Sequence, residues 1–404
     1  MSAAASLLTS CGTALAALAA LYSVLAAIAL RWLPNPAQPS SRQSDAQRPD
    51  PPQSHRQQHG AMPAVTILKP LYGGEHGLHE RLRSFCEQRY ATFEIVFGVR
   101  DPEDPALDCV RRLQREFPQL DLKITADATQ HGTNGKVSNL INMMPFARHD
   151  YLVIADSDVQ VAPDYLERVV TPLLDEGVGI VTCPYRGVPR PGLPSLLGSM
   201  FINEWFMPSV RVAASLGSRT FAFGATVALR RGSLIRIGGF PALASQLADD
   251  YRLGELTRRF GLRTVLSDLE VETSVDEAGF GDLLRHELRW LRTIRTVRPL
   301  GYALSGITFG LPVATLGTVL ARGAPGAVVL LAVTVAARVM VDSAPRRSCS
   351  LLMQLWLIPL ADFIAFALWC WSFVTREVEW RHTRYRLARD GSAQPMPRRL
   401  RRKP

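Results

Sequence analysis

The chain has 404 residues, enough for one large domain plus further elements, and 47% of them are hydrophobic, with a mean hydropathy of +0.05 that is high for a wholly water-soluble enzyme. The formal net charge of +10 and the pI near 9.6 admit nucleic acid, acidic lipid or phosphate-bearing ligands, but no zinc-finger, RNP or aromatic-interleaved basic pattern is present, which argues against a nucleic-acid partner. The six cysteines, at 11, 86, 109, 183, 349 and 370, show neither C-x-x-C spacing nor a histidine at metal-ligand distance, so core or membrane thiols in a reducing compartment are expected.

Residues 1–30 carry no charged side chain, and the run "ALAALAALYSVLAAIAL" ends at Arg31 and Trp32. That length crosses a hydrocarbon core. A signal peptide would place Lys or Arg before its apolar run; here the charge lies only beyond it, so 1–32 reads as a retained transmembrane anchor with Arg31, Arg42, Arg48 and Arg56 on the cytoplasmic side. Residues 33–62 are rich in Pro, Gln and Ser without periodicity and read as a disordered linker.

Over 63–298, strand-like runs ("AVTILKP", "FEIVFGV", "LKITAD", "YLVIADSD", "VGIVTCP") alternate with helical patterns ("HERLRSFCEQRY", "ALDCVRRLQREF", "KVSNLINMMPF", "YLERVVTPLLDE"). The alternation predicts crossover units and an α/β domain with a mostly parallel sheet. Within it the apolar run Tyr151–Ala155 ends in Asp156, Ser157 and Asp158. A strand period of two points Asp156 and Asp158 to one side, at the carboxyl end where open α/β sheets bind ligands. Two hard oxygen ligands with room for water and phosphate suit Mg²⁺ or Mn²⁺ better than zinc; the same triplet also fits a turn with a helix cap. Asp101 follows another strand in "VRDPEDPALD", and Asp249 and Asp250 open the helical pattern "DDYRLGELTRRFG". Each of these acids has a turn or cap explanation on its own. In "HELRWLRTIR", Arg289, Trp290 and Arg292 stand together; guanidinium groups pair bidentately with diphosphate oxygens, and an indole face covers a sugar or a lipid head.

Beyond residue 298 three apolar segments, near 300–321, 324–343 and 350–374, are each long enough to span or lie in a bilayer, giving membrane segments over 299–375. The first contains several glycines and Pro312 and is expected to be re-entrant or interfacial, leaving two spanning helices and a basic cytoplasmic tail over 376–404, as positive-inside counting prefers.

The order Asp101, Asp156-Ser157-Asp158, Asp249-Asp250-Tyr251 and Arg289-Trp290 resembles the D, DxD, D, (Q/R)xxRW signature of family 2/21-type membrane glycosyltransferases. "TILKPLYGGEHGL", "VRDPEDPA", "GKVSNL" and "WRHTRYRL" are similar to ceramide glucosyltransferases, and among these the long amino-terminal tether looks most like the bacterial hopanoid biosynthesis-associated glycosyltransferases. The resemblance covers about residues 63 to 390. It implies a GT-A nucleotide-diphospho-sugar transferase domain with transmembrane helices, in a multi-pass protein of the cell inner membrane whose catalytic domain faces the cytoplasm. It further implies a Mg²⁺- or Mn²⁺-dependent, inverting transfer from a UDP-sugar donor to a membrane lipid acceptor. Asp101, Lys69, Lys136, Asp156 and Arg289 would bind the nucleotide sugar, Asp158 the metal, Asp250 would be the general base, and Trp290, His286 and Asp249 would line the acceptor site. Two positions depart from the pattern: His286 stands where relatives have Gln or Arg, and Asp249 where they often have Glu. The hopanoid reading makes the donor UDP-N-acetylglucosamine and the acceptor bacteriohopanetetrol; the ceramide reading makes them UDP-glucose and ceramide. A processive polysaccharide synthase would need more spanning helices, and a non-catalytic tether would not need Asp156, Asp158, Asp250 and Arg289 together.

Overall fold

In the computed structural model, residues 3–31, 62–218, 222–342, 351–380 and 383–396 are described. The expected linker up to residue 61 and the last eight residues of the expected tail lie outside them. In chain order the elements are α1 (Ala3–Arg31), β1 (Val65–Pro70), α2 (Leu78–Cys86), β2 (Phe93–Val99), α3 (Ala106–Glu116), β3 (Asp121–Ala126), α4 (Gly135–Met143), β4 (Tyr151–Ala155), β5 (Val159–Gln160), α5 (Tyr165–Val170), β6 (Val178–Thr182) and β7 (Tyr185–Pro189). There follow α6 (Leu193–Met200), a π turn over Phe201–Phe206, α7 (Met207–Ser215), β8 (Thr226–Arg230), α8 (Arg231–Arg236), α9 (Asp249–Arg259), β9 (Arg263–Leu266), β10 (Val271–Val275) and α10 (Phe280–Val297). The chain ends in α11 (Pro299–Leu304), α12 (Gly310–Leu320), α13 (Pro325–Asp342), α14 (Leu351–Ser372), β11 (Glu377–Trp380), β12 (Thr383–Leu387) and β13 (Ala393–Pro395).

The chain divides into two compact units. The first, the sheet unit, takes residues 34–185 and 219–274. Its seven strands run in the order β3-β2-β1-β4-β8-β6-β9. Four of the six pairings are parallel, so the sheet is mostly parallel as expected, but β8 runs antiparallel between β4 and β6. β1 is buried along its whole length and β2 and β4 nearly so, which is why these strands read as unbroken apolar runs rather than alternating ones. Leu68, Val96, Leu152, Ile154 and Val227 from the sheet pack against Val137, Leu140 and Met143 of α4. One carboxylate is sunk in this framework: Glu94 of β2, with no exposed side-chain surface, accepts from Thr66 Oγ1 at 2.6 Å, Lys123 Nζ at 2.7 Å and Arg148 Nε at 2.8 Å. Burial alone would raise its pKa, but the hydrogen bonds from Lys123, Thr66 and Arg148 outweigh it and hold the group at about 2.

The second, the helical unit, takes residues 1–33, 186–218 and 275–404. The stretch 63–298, expected as one α/β domain, is thus divided between the two units. Residues 186–218 and those from Val275 on leave the sheet unit because their apolar faces are satisfied by helices: Tyr22 Oη meets Ser209 Oγ at 2.8 Å, and Ala26 and Ala29 of α1 pack on Val212 of α7. Small residues set the closeness of α1 to α12, where a Cβ on Gly12 would stand 2.5 Å from the nitrogen of Ala321. Among the described residues, one helix is by itself long and apolar enough to cross a membrane: α1, over the 27 residues Ala4–Leu30. Pro299–Thr308 and Gly310–Leu320 meet that measure only as a pair, and they join at an angle of 72°; the break falls at Phe309, three residues before Pro312. Pro325–Val341 and Trp356–Ser372 are shorter apolar helices.

The basic segment after residue 376 is not simply a tail. Glu377–Trp380, Thr383–Leu387 and Ala393–Pro395 form the antiparallel ladder β11-β12-β13, in which Trp380 faces Thr383 and Leu387 faces Ala393. Two arginines of α10 secure its approach, Arg292 donating to the Glu377 carbonyl at 2.7 Å and Arg295 to that of Thr375 at 2.8 Å.

Candidate active site

Asp156 follows β4 at the carboxyl end of the sheet, beside the end of β1. Its Oδ1 lies 2.5 Å from Nζ of Lys136, one residue into α4. The cap of that helix, Asn134, accepts from the backbone of Lys136 and Val137 at 3.0 and 3.1 Å and turns its amide to Gln246 O at 2.7 Å and Asp249 Oδ1 at 3.3 Å. Lys136 Nζ also reaches the Gly224 carbonyl at 3.3 Å and stands 3.9 Å from Asp249 Oδ2. One ammonium thus ties the strand end, the mouth of α9 and the loop before β8.

Asp249 and Asp250 occupy the first turn of α9, where the helix amides favour negative charge. Asp250 Oδ1 accepts from the Tyr251 amide at 2.7 Å, and the Gly224 backbone closes over Oδ2 so tightly that a Cβ there would stand 3.2 Å away. Burial, then the neighbouring Asp249, push Asp250 up to about 6; amides of Tyr251 and Gly224 and the Lys136 charge pull the other way without prevailing. Burial likewise raises Asp156 to about 6 against the pull of Lys136, although a third of its side chain still meets solvent. Lys136 is held above its ordinary range, because Asp156 and Asp249 outweigh the effect of its own burial.

Asp158 is braced from another side. Its Oδ2 accepts from Thr273 Oγ1 at 2.8 Å and its carbonyl from the Ser274 amide at 3.0 Å, so β10 fixes the loop. Between the two aspartates, Ser157 donates to Glu75 Oε1 at 2.8 Å while its carbonyl accepts from Arg81 Nε at 3.1 Å. Lys69, expected to touch the donor, is fully buried: its ammonium lies 3.9 Å over the Phe85 ring and donates to the Asp156 carbonyl at 2.5 Å. It holds the strand end from behind, and burial pulls its pKa down to about 7. Asp101 is exposed at the end of β2, with Oδ1 accepting from the Glu103 amide at 2.9 Å.

The remaining expected residues lie on α10 in the helical unit. His286 Nδ1 meets Glu277 Oε1 at 2.6 Å, and the ring stands edge-on to Trp290 with centroids 5.3 Å apart. Glu277 is itself fixed by its amide donating to Ser195 Oγ at 2.9 Å. Arg289 and Trp290 sit mid-helix, half-buried, with Trp290 5.8 Å from Phe206. The sequence reading missed Glu75, Arg81, Asn134, Thr273 and Glu277. The Asn-Gly pair that opens the "GKVSNL" helix is a start signature from which Asn134 was legible as a cap; the others act across long sequence separations and leave no local trace.

Among the described residues no group of three or more His, Cys, Asp or Glu side chains could hold a metal ion. A Mg²⁺- or Mn²⁺-type ion takes as few as one or two carboxylates and completes its shell from water and phosphate oxygens; Asp158 and Asp156, a third of whose side chain meets solvent, are the acids at this strand end that would hold one.

The sequence profile of glycosyl transferase family 21 matches residues 13–393. Ceramide glucosyltransferase 1 of Caenorhabditis elegans is 27% identical over 208 residues, 51% of this chain and 44% of the relative. Beta-monoglucosyldiacylglycerol synthase of Trichormus variabilis is 27% identical over 128 residues, covering 31% and 27% of the two chains. The match thus spans half or less of the length of these curated relatives. Among solved structures, mannosyltransferase PcManGT from Pyrobaculum calidifontis, in complex with GDP-Man and Mn²⁺, superposes with a TM-score of 0.51 at 20% identity, covering 91% of this chain and 96% of that one. At that identity the likeness shows the fold, which is of the GT-A kind.

Proposed function

The chain belongs to glycosyl transferase family 21, and from that premise we propose that it transfers a sugar from a UDP-sugar to a hydroxyl of a membrane lipid, inverting the anomeric centre. The observation that carries the reading is the group at the carboxyl end of β4: two aspartates of one turn, a third and fourth at the mouth of α9, and a single ammonium between them. Asp250 has the protonation behaviour of a general base, since a carboxyl with a pKa near 6 is ionised at neutral pH yet basic enough to take a hydroxyl proton. The acceptor oxygen bonds to the anomeric carbon, the bond from that carbon to the diphosphate breaks, the proton passes to Asp250, and UDP leaves. A divalent ion held by Asp158 and Asp156 would offset charge on the leaving diphosphate. Lys136 and Lys69 fix Asp156 at its carboxylate and its carbonyl, Thr273 fixes Asp158, and Asp101, past the end of β2, would accept hydrogen bonds from the nucleoside. In the helical unit, Glu277 orients His286 of α10.

The ceramide glucosyltransferase relatives support glucose transfer to ceramide over N-acetylglucosamine transfer to bacteriohopanetetrol, and the diacylglycerol relative keeps the acceptor within neutral lipids. α1 would anchor the chain in the membrane, with the arginines that follow it on the cytoplasmic side, where nucleotide sugars are available. The test is transfer by the detergent-purified full chain, offering UDP-glucose and UDP-N-acetylglucosamine against ceramide, diacylglycerol and bacteriohopanetetrol, with Mn²⁺, with Mg²⁺ and then with chelator. A β-linked glycolipid formed only with metal is expected. Neither transfer nor UDP release with any pair would sink the reading, and full activity in excess chelator would remove the metal from it.

A further inference from the structure

Four ionisable side chains are withdrawn from water inside the helical unit, and the chemistry above uses none of them. Arg338 of α13 makes a two-pronged pair with Asp362 of α14, Nε to Oδ2 at 2.8 Å and Nη2 to Oδ1 at 2.6 Å. It also donates to Glu204 on the π turn, to Oε2 at 3.3 Å and to the carbonyl at 3.4 Å. The three side chains are between 4% and 9% exposed. The fourth is Glu287 of α10, 5% exposed, whose Oε2 meets no hydrogen-bond partner among the described residues.

All four line one part-open crevice, with about 400 Å³ of empty space when its mouth is counted and an inner part that admits only water-sized groups. Leu197, Met200, Leu283 and Leu368 supply apolar walls. Burial raises the Glu287 carboxyl well above its ordinary range, reinforced by nearby Glu277 and only partly opposed by Arg289, which favours its neutral form. Its unmet capacity is therefore for hydrogen bonds and not for charge. The ionic groups, by contrast, close on one another with one guanidinium for two carboxylates, leaving a negative surplus that repels phosphate. An apolar-walled crevice with one uncharged polar contact suits a neutral lipid that carries a hydroxyl or amide near the start of its chain.

We propose that this crevice seats a hydroxyl or amide group of a neutral lipid acceptor, with Glu287 as its hydrogen-bonding contact and the Arg338–Asp362–Glu204 group as the fixed wall behind it. The assignment rests on the lipid glycosyltransferase reading and names where in the chain the acceptor is recognised. It separates acceptor selection from the donor site, because every residue involved lies in the helical unit.

The experiment uses the full chain in detergent and follows binding of a short-chain N-acyl amino-diol through tryptophan fluorescence, together with the acceptor KM in the transfer assay. The same chain as a phosphate monoester and as a primary amine serves for comparison. In Glu287→Leu, which removes the hydrogen bond without stranding a charge, the Kd and acceptor KM of the amino-diol are expected to rise about tenfold, the equivalent of about 1.4 kcal/mol. The donor KM should move less than twofold, and Glu287→Gln should restore acceptor binding to within threefold. An analogue lacking both hydroxyl and amide should bind wild type and Glu287→Leu alike. Unchanged amino-diol binding in Glu287→Leu, as when the crevice holds only an ordered water, would overturn the proposal, and so would tighter binding of the phosphate or amine probe. If wild type binds the amino-diol through Glu287 but transfers no sugar, the transferase reading fails while the binding site stands.

Discussion

Asp156, Asp249 and Asp250, around the end of β4, share the single ammonium of Lys136 and keep part of their surface in water, 33% for Asp156 and 19% for Asp249. In the helical unit Asp362 and Glu204 are 9% and 4% exposed and converge on the two-pronged Arg338. The residue types are the same, but the consequences differ. Around the end of β4, Asp156 and Asp250 are raised to about 6, within reach of neutrality, which is what proton transfer requires. A carboxylate locked into a bidentate guanidinium in an apolar setting is fixed by its partner, and losing one partner strands the other.

The largest effect should come from the mobile protons. Asp250→Asn is expected to lower kcat about a thousandfold while leaving UDP binding by calorimetry within about threefold, because it removes a base and no metal ligand. The wild-type rate should fall as pH drops through about 6, since the raised pKa means the active ionised form is lost there and not near 4. A limb that persists unchanged in residual Asp250→Asn activity would assign it elsewhere.

Next come the locked charges. Asp362→Asn should destabilise the detergent-solubilised chain by about 3 kcal/mol by stranding Arg338, whereas Asp156→Asn should cost less than about 1 kcal/mol, its ionised form being disfavoured already. Equal losses in denaturant titrations would erase the distinction between the two regions.

Glu94 offers an intermediate case in the sheet unit, buried like Asp362 but paired with exposed Arg148. Its folded pKa is depressed to about 2, so its stabilising contribution is present above the unfolded value of 4.5 and is lost as pH falls from there toward 2. Allowing for solvent screening of Arg148, that contribution should be about 2 kcal/mol. Thermal melts of Glu94→Gln should lack that acid-side slope.

The smallest effect tests the shared cation. Lys136→Ala should weaken donor binding about tenfold and move the acidic limb of the rate profile upward, because Asp156 and Asp250 lose the charge that lowers their pKa values. A limb that stays at about 6 would mean that Lys136 has no hold on the base.

The Asp-Ser-Asp triplet was legible at its place after an apolar strand, and so was the acidic opening of α9, because both depend on short-range periodicity and on where a strand or helix begins. The passage of residues 186–218 into the helical unit was not legible, since "LPSLLGSMFINEWF" carries an apolar pattern that any helix contact would satisfy. The antiparallel run of β8 has no mark of its own in "TVALR". The ladder after residue 376 was partly visible in the alternation of "TRYRL", masked by its arginines.

The sequence alone determined an apolar first helix, alternating strands and helices, and carboxylates at strand and helix ends, because each is written in neighbouring residues through the 2.0 and 3.6 periods of burial. Only the tertiary structure decided that Lys136, and not Lys69, pairs with the Asp156 side chain, that Thr273 braces Asp158, and that Glu204, Arg338 and Asp362 meet across 158 residues of chain. These pairings depend on which helices and strands become neighbours, and that is set by the burial of whole faces, to which each charged residue adds too little to be read in isolation.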